Sequence, residues 1–180
     1  MSESSPSGGM RHPELLGVYC NDHLAASAGG IELVKRMIGR HRATEHDQPL
    51  TQLLAELKDE KSSLESFARA LGFPIRQYKQ AAARVGEKLS RVKLNGHLLT
   101  RSPLSDLVEF EFLASAVRAK RSGFETLRSV AEVESRLDRA ELDRLIEQAN
   151  GQYEWLSHTR RRVAAQVFGG SAEAAEDAAN

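Results

Sequence analysis

Carboxylate and imidazole side chains recur at helical spacing in this chain, and these are residue types that bind transition metals. Glu56 and Asp59 are three residues apart, and Glu154 and His158 are four residues apart. Either spacing places two side chains on the same face of a helix, where they can share one ion. The direction in which each face points therefore decides whether a metal site can form.

Most of these potential ligands are predicted to face solvent. At about 100° per residue, Glu154 and His158 lie on the side of their helix opposite the apolar stripe that contains Ala149. Glu147 falls on the same outer side, and Glu56 lies at the edge of the stripe of its own helix. The favoured interpretation of these residues is a solvated helix surface.

A second group of polar residues falls on the apolar, inward-facing stripes and is predicted to form a buried polar cluster. Its members are His23, Glu60, Glu111, Arg118, Gln152 and Arg160. A buried charge is costly unless it is paired and hydrogen-bonded, so these side chains should contact one another. If a metal were bound instead, the candidate ligands would be His23, Glu56, Glu60 and Glu111.

The spacing of apolar residues predicts helices throughout the chain, and no strand-like alternation competes with it. The predicted helices cover about 13–41, 49–72, 74–94, 103–131 and 138–168, and Gly123 is a position at which the fourth could break. Proline suits the first turn of a helix, which agrees with Pro49, Pro74 and Pro103. Residues 1–12 are predicted to be a disordered lead, 13–168 a single domain, and 169–180 a disordered acidic tail.

The order and lengths of these helices resemble the ferritin-like superfamily over about residues 13–168. Short loops join the members of the first and last long-helix pairs, and a long connection holding the helix at 74–94 lies between the pairs. That helix would span roughly 30 Å, the length of such a bundle. The predicted fold class is all-α, a ferritin-like four-helix bundle with an additional helix in the long crossover between the second and third bundle helices.

Two short segments also resemble a group of uncharacterised bacterial helical proteins. They are Asn21-Asp22-His23-Leu24-Ala25 and Lys93-Leu94-Asn95-Gly96. No activity follows from this second resemblance.

The ferritin-like resemblance implies a place for metal ligands, and the chain departs from the expected pattern there. Ferritin-like di-iron sites use Glu-x-x-His pairs, which this sequence lacks. The topology implies that Glu60 and Arg118 lie near mid-bundle, with Glu111 and Arg160 about two turns nearer the first loop. Glu60–Arg118 and Glu111–Arg160 are therefore the predicted ion pairs, and edge positions that reach solvent are the alternative.

The crossover segment, residues 74–94, is strongly basic. Its positive residues are Arg76, Lys79, Arg84, Lys88, Arg91 and Lys93. Such a patch could bind phosphate, nucleic acid or an anionic membrane. Because Lys and Arg balance Asp and Glu at 25 each in the whole chain, a solvated or internally paired face is favoured over nucleic-acid binding.

Cysteine content and hydropathy bear on the compartment of the protein. The single cysteine, Cys20, cannot form an intrachain disulfide, and the N-terminal residues do not resemble a signal peptide. No apolar stretch is long enough for a membrane span, so a cytoplasmic location is predicted. A homodimer is compatible with the sequence but is not specified by it.

These observations favour a non-enzymatic bundle that acts as a structural or interaction module, with arginine–carboxylate pairs in place of metals. No catalytic residue and no cofactor is assigned. One alternative is a ferritin-like di-metal protein or oxidoreductase that holds iron or manganese. A second alternative is a protein that binds nucleic acid or anionic surfaces through the basic crossover segment.

Overall fold

The computed structural model describes residues 12–75 and 103–169 of the chain. Within these ranges the structure contains helices and no strand: α1 (Pro13–Arg40), α2 (Asp47–Ala70), α3 (Pro103–Val130) and α4 (Arg139–Phe168). The predicted all-α class is therefore confirmed. The helix predicted within the crossover segment, and the basic patch on it, lie outside the described residues.

The helix ends follow local sequence signals. Pro13 occupies the first turn of α1. Gly72, with a φ of +80°, follows α2, because glycine adopts this left-handed conformation without strain. The Asp138 carboxylate accepts a hydrogen bond of 3.1 Å from the Glu141 backbone N–H and caps α4. α3 continues through Gly123, so the break considered at that position does not occur.

All neighbouring helices of the described bundle run antiparallel. α1 and α2 form one hairpin, and α3 and α4 form the other. The end of α1 meets the beginning of α3, where Arg40 bonds to Glu109. Between α2 and α4, the Ser63 hydroxyl donates to Glu141 at 2.9 Å. As a result, α2 ends at the end of the bundle where α1 begins, and α3 begins at the opposite end.

The core formed by the described residues consists of two apolar clusters stacked along the bundle. The cluster near the α1–α2 loop includes Met37, Leu50, Phe110 and Leu156. The cluster at the opposite end includes Leu24, Leu64, Phe124 and Leu145. Each fully buried side chain of this size contributes about 1.5–3 kcal/mol. None of the helices within 12–75 and 103–169 is both long and apolar enough for a bilayer.

Candidate functional site

A lysine lies at the boundary between the two apolar clusters. Lys120 shares the inward face of α3 with Leu113, Val117 and Phe124, which are all buried. Its Nζ donates to the Glu60 carboxylate Oε2 and to the Gln152 amide Oε1. The side chain is only 16% exposed, so the ammonium is placed inside the bundle.

Glu60 is the buried anion opposite this ammonium. It lies on α2 between the core residues Leu57 and Leu64 and is 2% exposed. Its Oε1 accepts hydrogen bonds of 2.8 Å from the Nε2 atoms of Gln148 and Gln152. Both oxygens are thus hydrogen-bonded, which is the condition under which a buried carboxylate can remain charged.

Gln152 connects a second carboxylate to the same group. It occupies a buried position on α4, and its Nε2 also donates to Glu56 Oε2 at 2.8 Å. Glu56 and Glu60 are one turn apart on α2, and Gln148 and Gln152 are one turn apart on α4. We call these four residues and Lys120 the polar layer, because they separate the two apolar clusters.

The electrostatics of the layer follow from its burial. Removal from water lowers the pKa of Lys120, and the charge and hydrogen bond of Glu60 act in the opposite direction. Glu56 adds a weaker attraction of the same sign. The ammonium is therefore stabilised by specific protein contacts rather than by solvent.

The structure changes one predicted ion pair. Glu60 and Gln152 are in the interior, as predicted, but the partner of Glu60 is Lys120 instead of Arg118. Arg118 is exposed. Two residues correspond to about 200° of helix rotation, so Arg118 and Lys120 point to opposite sides of α3.

The second predicted ion pair exists, but it is not buried. Arg160 Nη1 lies 3.3 Å from Glu111 Oε1, while the two side chains are 38% and 48% exposed. The prediction that both residues belong to a buried cluster is wrong, because their outer sides reach solvent. An exposed pair of this kind contributes only about 0–1 kcal/mol.

His23 is half-buried, and its ring is fixed by local contacts. Its Nδ1 lies 3.1 Å from the Tyr19 carbonyl oxygen, and the two rings are 4.3 Å apart. The ring passes so close to α3 that a Cβ atom on Gly123 would lie 2.5 Å from His23 Cδ2. Gly123 therefore allows the close approach of α1 and α3 instead of breaking the helix.

The interior donors do not fit a di-metal centre. Within the described residues, no group of three or more His, Cys, Asp or Glu side chains is arranged to hold a metal ion. Glu111 lies at the surface, so the candidate ligand set of His23, Glu56, Glu60 and Glu111 is not brought together. A divalent cation at Glu60 would have to replace the bound ammonium of Lys120.

The remaining potential ligands lie where the sequence predicts. Glu147, Glu154 and His158 are exposed on α4, and Glu56 lies at the edge of its stripe, partly exposed. The sequence interpretation missed Lys120 and Gln148. Lys120 could have been found from its spacing, because it lies three residues after Val117 and four before Phe124 on an otherwise apolar stripe.

No protein-family model matches this chain, and no curated protein and no solved structure is significantly similar to it. The function of the chain therefore has to be inferred from its own residues.

Proposed function

We propose that this chain is a non-enzymatic bundle of ferritin-like topology that acts as a structural or interaction module. The observation that supports the proposal is the Lys120 ammonium, bound to Glu60 and Gln152 at mid-bundle. A metalloprotein of this topology concentrates carboxylates and imidazoles at that level. Here the Lys120 ammonium and the side-chain amides of Gln148 and Gln152 donate hydrogen bonds to the oxygens of the Glu60 carboxylate.

The helix directions support the ferritin-like topology. α2 ends at one end of the bundle and α3 begins at the other, which is the arrangement of helix ends in a bundle with a long crossover. The helix predicted over 74–94 has the length for this crossover. We also propose a cytoplasmic location, in keeping with the free and buried thiol of Cys20.

Metal analysis tests the first part of the proposal. We expect protein purified from cells grown with added iron and manganese to contain far less than one metal per chain. We also expect it not to accelerate the oxidation of ferrous iron by oxygen. Stoichiometric iron or manganese, lost when Glu60 is changed to Ala, would instead establish the di-metal alternative, and accelerated oxidation of ferrous iron would establish its oxidoreductase chemistry.

A second copy of the chain is the partner we propose. The outer face of α3 exposes Leu104 and Phe112 together with Glu111 and Arg118. Two copies of α3 that cross antiparallel about a two-fold axis near Ser115 would place Glu111 of each copy opposite Arg118 of the other. The face is thus complementary to itself in charge, with apolar side chains beside the charges.

Charge reversal tests this interface. We expect light scattering to show a dimer for the wild-type chain and a monomer for both Glu111→Arg and Arg118→Glu. Because Glu111 also pairs with Arg160 of its own chain, the rescue variant combines Glu111→Arg and Arg118→Glu with Arg160→Glu and should dimerise again. Glu147→Arg on the outer side of α4 should have no effect. A wild-type chain that remains monomeric at millimolar concentration would contradict the proposal.

Binding of nucleic acid or anionic surfaces stays a prediction, since the basic patch lies outside the described residues.

A further inference from the structure

A cavity of about 310 Å³ lies beside the polar layer, between α1, α2 and α3. Its walls are mainly apolar and include Leu57, Leu64, Leu113, Val117, Phe124 and Leu127. Ala26 and Ala119 line its outer side and are exposed, so the cavity is open to solvent there. A cavity of about 150 Å³ already accommodates benzene, and small-molecule sites begin at about 300 Å³.

Two polar groups on the wall of the cavity can bind a ligand. An ammonium has three N–H groups, and two of those of Lys120 are donated, one to Glu60 and one to Gln152. No acceptor within the described ranges takes the third. Lys120 is three residues, or about one turn, from Gly123, against which the His23 ring packs.

His23 supplies the hydrogen-bond acceptor on the wall of the cavity. Its Nδ1 has to carry a proton to bond to the Tyr19 carbonyl oxygen, which accepts at 3.1 Å. With the Nδ1 proton used in this bond, Nε2 is left as the acceptor of the ring, and it lies beside Gly123 on the wall of the cavity. The wall therefore holds a donor and an acceptor on adjacent turns of neighbouring helices.

We propose that this cavity binds a small neutral molecule with a hydrocarbon body and a single hydroxyl group, such as an alkylphenol. The hydroxyl oxygen accepts from Lys120 Nζ, and its proton is donated to His23 Nε2. An anionic ligand is disfavoured, because Glu60 already neutralises Lys120 and Glu56 adds negative charge. A cationic ligand would lie against the ammonium. The apolar wall takes up the hydrocarbon body.

Calorimetric titration with three matched probes tests the chemistry. The probes are 4-ethylphenol, ethylbenzene, which lacks the hydroxyl, and 4-ethylbenzoate, which is anionic. We expect 4-ethylphenol to bind about tenfold more tightly than either of the others, the difference made by one hydrogen bond to a charged donor. Tighter binding of 4-ethylbenzoate would overturn the assignment of a neutral ligand.

Two glycine substitutions test the location. Gly30 lines the cavity, and a Cβ atom there would meet nothing within 4 Å, so Gly30→Leu should fill the cavity without a clash. Gly151→Leu is the matched control, because Gly151 is also inside a helix with open space around its Cβ position but is exposed on α4. We expect Gly30→Leu to abolish binding of 4-ethylphenol and Gly151→Leu to leave it unchanged. Equal binding by both variants, or no binding by the wild-type chain at millimolar probe, would overturn the proposal.

A double variant tests the role of the ammonium. Glu60→Gln combined with Lys120→Met removes both charges of the buried pair together, which avoids leaving one of them unpaired. Binding of ethylbenzene should persist in this variant, while the tenfold preference for 4-ethylphenol should disappear. A preference that survives unchanged would show that Lys120 does not bind the hydroxyl.

Discussion

At the scale of single residues, Lys120 occupies a position that the pattern of α3 reserves for an apolar side chain. The residue is tolerated because Glu60 and Gln152 supply acceptors for its ammonium. The dependence is mutual, because without Lys120 the Glu60 carboxylate would be buried with only two amide donors. Removing one partner of a buried ion pair lowers the stability of a protein by more than the intact pair contributes to it.

We predict that Lys120→Met lowers the free energy of unfolding by about 3–5 kcal/mol. Adding Glu60→Gln should recover more than half of this loss, since the neutral amide no longer needs a cation and can still accept from Gln148. Urea unfolding monitored by circular dichroism measures both values. Lys58→Met, at an exposed position of α2, is the control and should change stability by less than about 0.5 kcal/mol. Additive losses in the double variant would contradict the idea of a coupled pair.

Cys20 gives a prediction about alkaline pH. Burial raises the pKa of its thiol from 9.0 to about 11. Between these two values the unfolded chain loses the proton and the folded chain keeps it, so the unfolded state is favoured increasingly as the pH rises. Two pKa units correspond to about 2–3 kcal/mol.

The Cys20→Ala variant isolates this contribution. The difference in unfolding free energy between wild type and variant should stay constant below pH 9 and should then move in favour of the variant up to about pH 11. Urea titrations at a series of pH values provide the comparison, and other groups that titrate in the same range cancel. A constant difference across the whole range would show that the thiol is accessible to water.

At the scale of the helices, two glycines that both lie inside a helix have opposite roles. Gly151 lies on the exposed side of α4 with open space around it, so Gly151→Ala should stabilise the chain by about 0.5–1 kcal/mol. Gly123→Ala should instead destabilise it by about 1–3 kcal/mol, because the new methyl group would overlap the His23 ring. Thermal unfolding of the two variants makes the comparison.

The cause of the second effect can be checked separately. In a Gly123→Ala, His23→Ala double variant the ring is absent, so the added methyl group should cost nothing relative to His23→Ala alone. If Gly123→Ala destabilises the chain equally with and without the ring, the close approach of α1 and α3 is not the reason that glycine is required.

The helices themselves were predictable because three- and four-residue spacing and the proline and glycine positions mark their extent. Orientation was predictable only where one face is clearly apolar, as for Glu60 on α2 and for Glu154 and His158 on α4. α3 is apolar on more than one side. Arg118 and Lys120 therefore both adjoin an apolar stripe in the sequence, and only the packing of α1 and α4 on α3 decides which of them is buried.

At the scale of the whole molecule, the polar layer divides a core that could otherwise be continuous. One apolar cluster lies on each side of it, and each of the two clusters receives residues from all four described helices. Apolar side chains tolerate sliding of one helix along another, whereas the bonds of Glu60 and Gln152 form at a single register. The layer also joins the two hairpins, because Glu60 is on α2, Lys120 on α3 and Gln152 on α4. The sequence could not specify these pairings, since they depend on the register between hairpins that are distant along the chain.

We therefore expect that replacing the polar layer by apolar residues leaves the stability of the chain intact but removes the single, fixed register of its helices. In a variant that carries Glu60→Leu, Lys120→Met and Gln152→Met together, the buried ion pair of the polar layer is removed, and apolar side chains of similar volume replace the polar ones. We expect the unfolding free energy to remain equal to the wild-type value or to rise by about 1–4 kcal/mol. The helices should lose their fixed register, seen as broadened amide and methyl resonances in NMR spectra and as mixed oligomers in light scattering.

Sharp spectra of one species would show that the apolar clusters alone define the register. A large loss of stability would show that the main contribution of the layer is to the free energy of unfolding. The combination of retained stability and lost uniqueness is the outcome that identifies Glu60, Lys120 and Gln152 as the residues that align the two hairpins.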